Sequence, residues 1–260
     1  MQTTRVEYGK PRLGLRRNEC QFYHTIDLPT YGLIIADGGG KWDLRPFVAE
    51  MFKGIIFDGK SVLEVGPASG FLTVEMEKRG AQVTAVEAPY EHAWDIVPFP
   101  GCRERWADAA QKAWLPCTNS WWFTHEHSRS RANIIYLSAG NISPLRVGSY
   151  DVSLMSNVLL HNRDPLKIVT NAADCTKGSV IIIEQFNHDL EQIDQPLCRL
   201  DPVVNPAAGE ENWNMWWRFN RKLFVNYLTI MGFKRFDHHT YEVNWGDVPI
   251  PSFTLAAHRI

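Results

Sequence analysis

The stretch Val62-Leu63-Glu64-Val65-Gly66-Pro67-Ala68-Ser69-Gly70 decides how this 260-residue chain is read. Ser61 to Val65 is a short apolar run, which suits a buried strand, and glycines follow it at once. From Phe71 to Arg79 apolar residues recur at helical spacing (Phe71, Val74, Met76) between polar Glu75, Glu77 and Lys78, with Gly80 as the stop. A strand, a tight glycine turn and a helix in immediate succession place a ligand against the backbone at the carboxyl end of the strand. Val83–Glu87 reads as the next strand. Its terminal carboxylate, about 20 residues past the turn, stands where an acid accepts hydrogen bonds from both hydroxyls of a ribose.

Further strands are predicted at Asn133–Leu137, Asp151–Asn157 and Ser179–Glu184. A helix from about Pro165 to Asp174 lies between the last two, with Lys177-Gly178 as its stop. Strands joined by crossover helices build a parallel sheet covered on both faces. The fold class is therefore α/β: a Rossmann-like, mostly parallel sheet with helices on both faces. A helix from Asn220 to Met231, a strand near Arg235–Val243 and a terminal strand Phe253–Ala257 complete it. Residues 1–55 read as an N-terminal extension or cap and 56–260 as the ligand-binding domain. Two stretches break the rhythm, 98–131 and 186–213, and are expected to be long loops forming a lid over substrate.

Composition narrows the function. Apolar residues make up 45% and charged ones 22%, a globular balance that excludes wholesale disorder. No apolar run approaches the ~18 residues of a membrane span, and the first twenty residues lack the apolar core of a signal peptide. With 27 basic and 29 acidic residues the chain carries −2, which disfavours a nucleic-acid partner and leaves room for a local basic patch. Cys20, Cys102, Cys117, Cys175 and Cys198 form no CxxC pair, so neither a zinc ribbon nor a thioredoxin-type centre is encoded. Reduced thiols and a cytoplasmic location are expected. His125-x-His127 and His238-His239 lack an acid at ligand spacing, so no metal is expected.

The glycine spacing selects the ligand. A dinucleotide fingerprint needs Gly-x-Gly-x-x-Gly so that a pyrophosphate can lie on the helix N-terminus. Here the spacing is Gly66-x-x-x-Gly70, and Glu64 stands two positions before the first glycine. A carboxylate there repels a pyrophosphate and suits an ammonium group. S-adenosylmethionine carries an ammonium and no phosphate.

From Leu63 to Glu184 the chain resembles the class I S-adenosylmethionine-dependent methyltransferases, whose first motif is Asp/Glu-x-Gly-x-Gly-x-Gly. Ala68 replaces the middle glycine. The resemblance implies that Glu64, Gly66, Pro67 and Gly70 cradle the methionine part and that Glu87 holds the ribose. It also implies that Asn141 and Ile142 meet the adenine and that Asn157 lies under the sulfonium.

Phe22-Tyr23-His24-Thr25-Ile26-Asp27-Leu28-Pro29, Trp42-Asp43-Leu44-Arg45-Pro46 and Val158-Leu159-Leu160-His161-Asn162-Arg163-Asp164-Pro165 are similar to the branch of the tRNA wobble-uridine carboxymethyltransferases. Those enzymes use a carboxylated cofactor and have a tyrosine where Leu160 stands, so ordinary S-adenosylmethionine and methyl transfer are expected.

His161 has two readings: a general base, because imidazole titrates near neutrality, or a structural residue capping the next helix. Of the ten tryptophans, Trp42 and Trp245 are assigned to core packing. Trp121, Trp122, Trp213, Trp216 and Trp217, with Arg218, are assigned to the wall of a substrate pocket. Arg12, Arg16 and Arg17 read as a solvated arm. The expected acceptor is a small or medium apolar or aromatic metabolite, as in secondary metabolism, methylated on oxygen, nitrogen or carbon. A tRNA-modifying enzyme is the alternative, and a homodimer is compatible with either.

Overall fold

The computed structural model describes residues 6–37, 42–202 and 214–259. Strands β1 (Ile26–Leu28) and β2 (Gly32–Ile34) form a small antiparallel hairpin, and α1 (Val48–Met51) leads into the sheet. The elements β3 (Ser61–Val65), α2 (Phe71–Glu77), β4 (Gln82–Glu87), α3 (Cys102–Ser128), β5 (Asn133–Tyr136) and α4 (Pro144–Val147) make its first half. The second half contains β6 (Tyr150–Ser156), α5 (Pro165–Asp174), β7 (Thr176–Gln185) and α6 (His188–Glu191). A two-stranded ribbon, β8 (Cys198–Leu200) with β9 (Trp217–Phe219), precedes α7 (Arg221–Ile230), β10 (Arg235–Trp245) and β11 (Val248–His258).

Seven strands make the central sheet in the order β10-β11-β7-β6-β3-β4-β5. Strands β3 to β7 pair in parallel, and β11 runs antiparallel to both β7 and β10. The sheet is thus the mostly parallel, Rossmann-like one expected, with β3 at the point where the order reverses. Alternate residues divide between the two faces. Val62, Val83 and Ile134 pack under α2 and α3, while Leu63, Val86 and Ile135 pack under α5 and α7.

The helix from Pro165 and the helix after Asn220 form where expected, and Asp164, rather than His161, caps the first of them. Gly80 ends the α2 region with a left-handed backbone (φ +87°). Asp164 caps α5 by accepting the Lys167 amide at 3.1 Å, and Asn220 caps α7 through the Leu223 amide at 3.1 Å. Lys177-Gly178 does not stop a helix, because both residues lie inside β7. A side chain at Gly178 would stand 2.7 Å from the Asp151 carbonyl, so close approach of β6 explains this glycine.

The largest correction concerns 98–131, most of which is the 27-residue helix α3. Its apolar residues show no stripe because Thr118 to Thr124 are all buried. The sheet covers one side of that segment and the N-terminal extension covers the other. Gln21 donates its amide to the Pro116 carbonyl at 3.0 Å, and Asn119 and Ser120 bond to the Glu19 and Gln21 carbonyls, each at 2.9 Å. The extension is therefore fastened rather than loose. Arg12 donates to Asn119 at 2.9 Å and Arg17 pairs with Asp37 at 2.6 Å, whereas Arg16 is the exposed one. Trp42 is buried as expected, but Trp245 is 39% exposed and meets it edge-on at 4.7 Å.

A helix of 27 residues spans about 40 Å at 1.5 Å per residue, and a six-residue strand about 20 Å. A crossover helix runs back along its strands, so the first half of α3 overshoots the sheet at the carboxyl end. There, between Cys102 and Trp114, its residues are exposed or half-buried.

Candidate functional site

Two turns meet at the carboxyl end of β3 and β6. In the first, Gly66 (φ +72°), Ala68 (φ +49°) and Gly70 (φ +83°) are all left-handed. The glycines answer to packing. A side chain at Gly66 would stand 2.6 Å from a Val158 methyl, and one at Gly70 would stand 3.1 Å from Trp121. Ala68 occupies the conformation that a glycine takes freely, at a cost of about 1–2 kcal/mol. Pro67 accepts the Gly70 amide at 2.9 Å and closes the turn.

Carboxylates stand on both sides. Glu64, 3% exposed, accepts the Thr73 hydroxyl at 2.5 Å, and Trp121 backs Thr73 at 3.3 Å. Burial pushes the Glu64 carboxyl up to about 8, with the Thr73 bond opposing. Glu87 ends β4 and accepts the Ala88 amide at 2.8 Å. Burial lifts it to about 7, while the Ala88 amide and that of Ala68, in the glycine turn, pull it down. The first half of α3 lies alongside, with the Trp114 indole donating to the Ala88 carbonyl at 2.7 Å. The Cys117 thiol is pushed up to about 12 by burial, with the charge of Glu87 adding.

In the second turn Asn157 has φ +50°, its amide donates to Ile183 at 2.8 Å, and its side-chain oxygen is buried without a hydrogen-bond partner. A single helical turn, Leu159–His161, follows. His161 Nδ1 lies 2.6 Å from the Asn214 carbonyl. Only a protonated nitrogen can serve that bond, which leaves Nε2 as the lone-pair nitrogen of the neutral ring. Burial lowers the His161 pKa. Asn141 is exposed in the turn after β5, and Ile142 is buried beside it.

The structure thus gathers Glu64, Gly66, Pro67, Gly70, Glu87, Asn157 and His161 around the ends of β3, β4 and β6, with Asn141 and Ile142 beyond β5. The tryptophans divide. Trp121 and Trp122, 1% and 2% exposed, lie in the core with their indoles on Thr73 and Tyr136. They support the first turn from behind and wall no open pocket. The covering of α3 by the extension, invisible in the sequence pattern, accounts for that correction. Trp216 and Trp217 are tied instead to the strand-end loops. The Trp216 indole donates to the Asp95 carbonyl at 2.6 Å beneath the Arg163 guanidinium, and Trp217 donates to the Arg163 carbonyl at 3.3 Å. Arg218 pairs with Asp201 at 2.8 Å and also bonds Gln185. Trp213 lies outside the described residues.

Two residues at the site had no role in the sequence reading. His24 donates its amide to Ser69 Oγ at 3.2 Å, and its ring lies 5.9 Å from Phe71; burial holds it neutral, with a pKa of about 4. Glu184, the last residue but one of β7 and 1% exposed, accepts the Leu159 amide at 3.0 Å. The only hint of Glu184 was an acid closing the apolar run Val180–Ile183.

A family model described as a methyltransferase domain matches residues 41–239. Solved structures share the fold at low identity. A 1,6-didemethyltoxoflavin-N1-methyltransferase of Burkholderia thailandensis, with bound 1,6-didemethyltoxoflavin and S-adenosylhomocysteine, is 14% identical over 83% of this chain and 77% of that one (TM-score 0.50). Magnesium protoporphyrin IX methyltransferase of Synechocystis PCC 6803, with bound S-adenosylhomocysteine, is 14% identical over 84% and 82% (TM-score 0.49). A methyltransferase of Methanosarcina mazei is 17% identical over 84% and 99% (TM-score 0.48). No curated protein matches the sequence.

Proposed function

The chain belongs to the methyltransferase-domain family, and from that premise we propose that it moves a methyl group from S-adenosylmethionine to a protic group on a small or medium, apolar or aromatic metabolite. One observation carries the reading most: Glu87 is fixed at the switch point of the sheet, between its own strand end and the glycine turn.

The residues suit the donor. Glu87 would take the ribose hydroxyls, and Glu64, on the other side of the turn, the ammonium of the methionine part. Asn157 offers a buried oxygen without a partner, an acceptor for the polarised C–H groups next to a sulfonium. Asn141 and Ile142 would hold the adenine, one through an amide and the other through apolar contact. Burial raises Glu64 to about 8 and Glu87 to about 7, so an ammonium and a pair of ribose hydroxyls would draw out their ionised forms, whereas a pyrophosphate would gain nothing from either.

When bound, S-adenosylmethionine supplies an electrophilic methyl that leaves its sulfur by in-line displacement. The protein's share is alignment, which can contribute on the order of 7–11 kcal/mol, and removal of the acceptor's proton. His161 is set for the second task. Its Nδ1–H is engaged by Asn214, and its lowered pKa keeps Nε2 unprotonated at neutral pH. Trp217 and Arg218 would border the acceptor.

Within the family we place the chain beside the wobble-uridine branch, on the Val158–Pro165 stretch. Leu160, where that branch has a tyrosine, is buried in the core, which supports the ordinary cofactor. Filter binding of bulk tRNA should give no retention; saturable retention would favour the tRNA-modifying alternative.

Calorimetry of Glu87→Ala tests the proposal. Loss of charge-assisted bonds worth about 1.5–3 kcal/mol should weaken S-adenosylmethionine some tenfold or more. Wild-type affinity in the variant would remove Glu87 from the site.

A further inference from the structure

We infer that Glu184 is a positioning residue of the site: its carboxyl group, through the Leu159 and Leu160 amides, sets the turn that carries Asn157 and His161. The inference rests on the proposed reading of that site as a place for S-adenosylmethionine and its acceptor.

A glutamate at this place needs a reason. Val180, Ile181, Ile182 and Ile183 run in front of it, all buried, and Glu184 is as buried as they are. An apolar residue would continue the strand without the several kcal/mol that burying a carboxylate costs. Among the described residues no cation forms an ion pair with it. Arg218 acts on it only at a distance, being bonded itself to Asp201 and Gln185.

What the carboxylate does have is backbone. It accepts the Leu159 amide at 3.0 Å, and the Leu160 amide also stabilises its ionised form. These are the opening amides of the single helical turn Leu159–His161, which a helix of this length leaves without internal partners.

The turn also needs holding. Asn157 has φ +50°, a conformation that non-glycine residues keep only when the surroundings impose it. Its amide is fixed to Ile183, the neighbour of Glu184, so strand β7 grips the turn twice: once through a main-chain carbonyl before Asn157, and once through a side chain after it. Between the two grips lie Asn157, with its orphan oxygen, and Val158, which fills the space beside Gly66. His161 follows one residue past the second grip. Glu184 touches neither donor nor acceptor in this account; it acts through the backbone it holds.

The test compares wild type, Glu184→Ala and Glu184→Gln by amide hydrogen exchange and by calorimetry with S-adenosylhomocysteine. In Glu184→Ala the Leu159 and Leu160 amides should exchange about tenfold faster or more, with the β3 and β4 amides unchanged, and ligand affinity should fall about tenfold. Glu184→Gln keeps an oxygen for Leu159, so it should restore the Leu159 protection and most of the affinity. Unchanged Leu159 exchange in Glu184→Ala would overturn the inference, as would faster exchange spread evenly over the sheet, which marks a residue needed only for folding. If wild type ignores S-adenosylhomocysteine, the cofactor reading fails by itself, and the exchange pattern still decides whether Glu184 holds the turn.

Discussion

The turn after β3 and the turn after β6 lie against each other, with Val158 filling the space where a Gly66 side chain would stand. They are shaped by different means. The first takes its form from residues that lack bulk, Gly66, Ala68 and Gly70, and from left-handed backbone at all three. The second carries ordinary side chains and is held from outside, by Ile183 and Glu184 of the neighbouring strand. A turn of the first kind can approach a ligand closely with main chain. A turn of the second kind can present side chains, here an orphan amide oxygen and an imidazole with one nitrogen engaged. Under the proposed function the first turn would take the methyl donor and the second the proton chemistry.

The sharpest division between the turns is expected at His161. With an acceptor found by screening metabolite extracts with methyl-labelled donor, His161→Ala should lower kcat by about 10²–10⁴-fold and leave the donor's Kd unchanged. A loss of donor binding, or full turnover, would contradict this division of labour.

The contact between the turns can be broken on purpose. Gly66→Val combines a left-handed backbone costing about 1–2 kcal/mol with overpacking against Val158 costing about 1–3 kcal/mol. Denaturant unfolding should show a loss of that combined size, and adding Val158→Ala should recover the overpacking part. No recovery would mean that the turns do not meet as described.

Protons give a smaller effect that reports on both turns together. Glu64 and Glu184 are raised to about 8 and Glu87 to about 7, in each case mainly by burial, from an ordinary 4.5. Between those limits the native state holds more protons than the unfolded chain, so stability falls as pH rises. The contribution is complete below about pH 4.5 and is lost through 7–8. Melting temperature without ligand should therefore decline from pH 6 to 8.5, while donor affinity, which needs Glu87 ionised, should rise over the same window. A melting temperature that climbs with pH would show that these carboxyls are not buried as described.

The two turns also differ in how plainly the sequence announces them. Val62 to Gly70 and Glu87 carry their message locally, as an apolar run, glycines and an acid at fixed spacing, and β3, α2 and β4 follow that reading closely. Asp164 and Asn220 likewise mark helix starts by their own chemistry. Glu184 is legible only once β7 is known to lie beside β6, because its partners Leu159 and Leu160 are about 25 positions away. The same holds for α3. Its buried segment from Thr118 to Thr124 has no apolar stripe because the extension around Gln21 covers the side that solvent would otherwise meet, and Pro116 adds a misleading break. Trp121 and Trp122 therefore lie in the core, where local pattern suggests a pocket wall. Local pattern reveals the elements that bury one face, and it hides those enclosed by segments distant in the chain.

The most direct test of the central claim is a calorimetric titration of the wild-type protein with S-adenosylmethionine, repeated with NAD. The account predicts one molecule of S-adenosylmethionine bound per chain and no heat from NAD, because Glu64 and Glu87 favour an ammonium and a ribose and oppose a pyrophosphate. Binding of NAD, with S-adenosylmethionine silent at millimolar concentration, would contradict it.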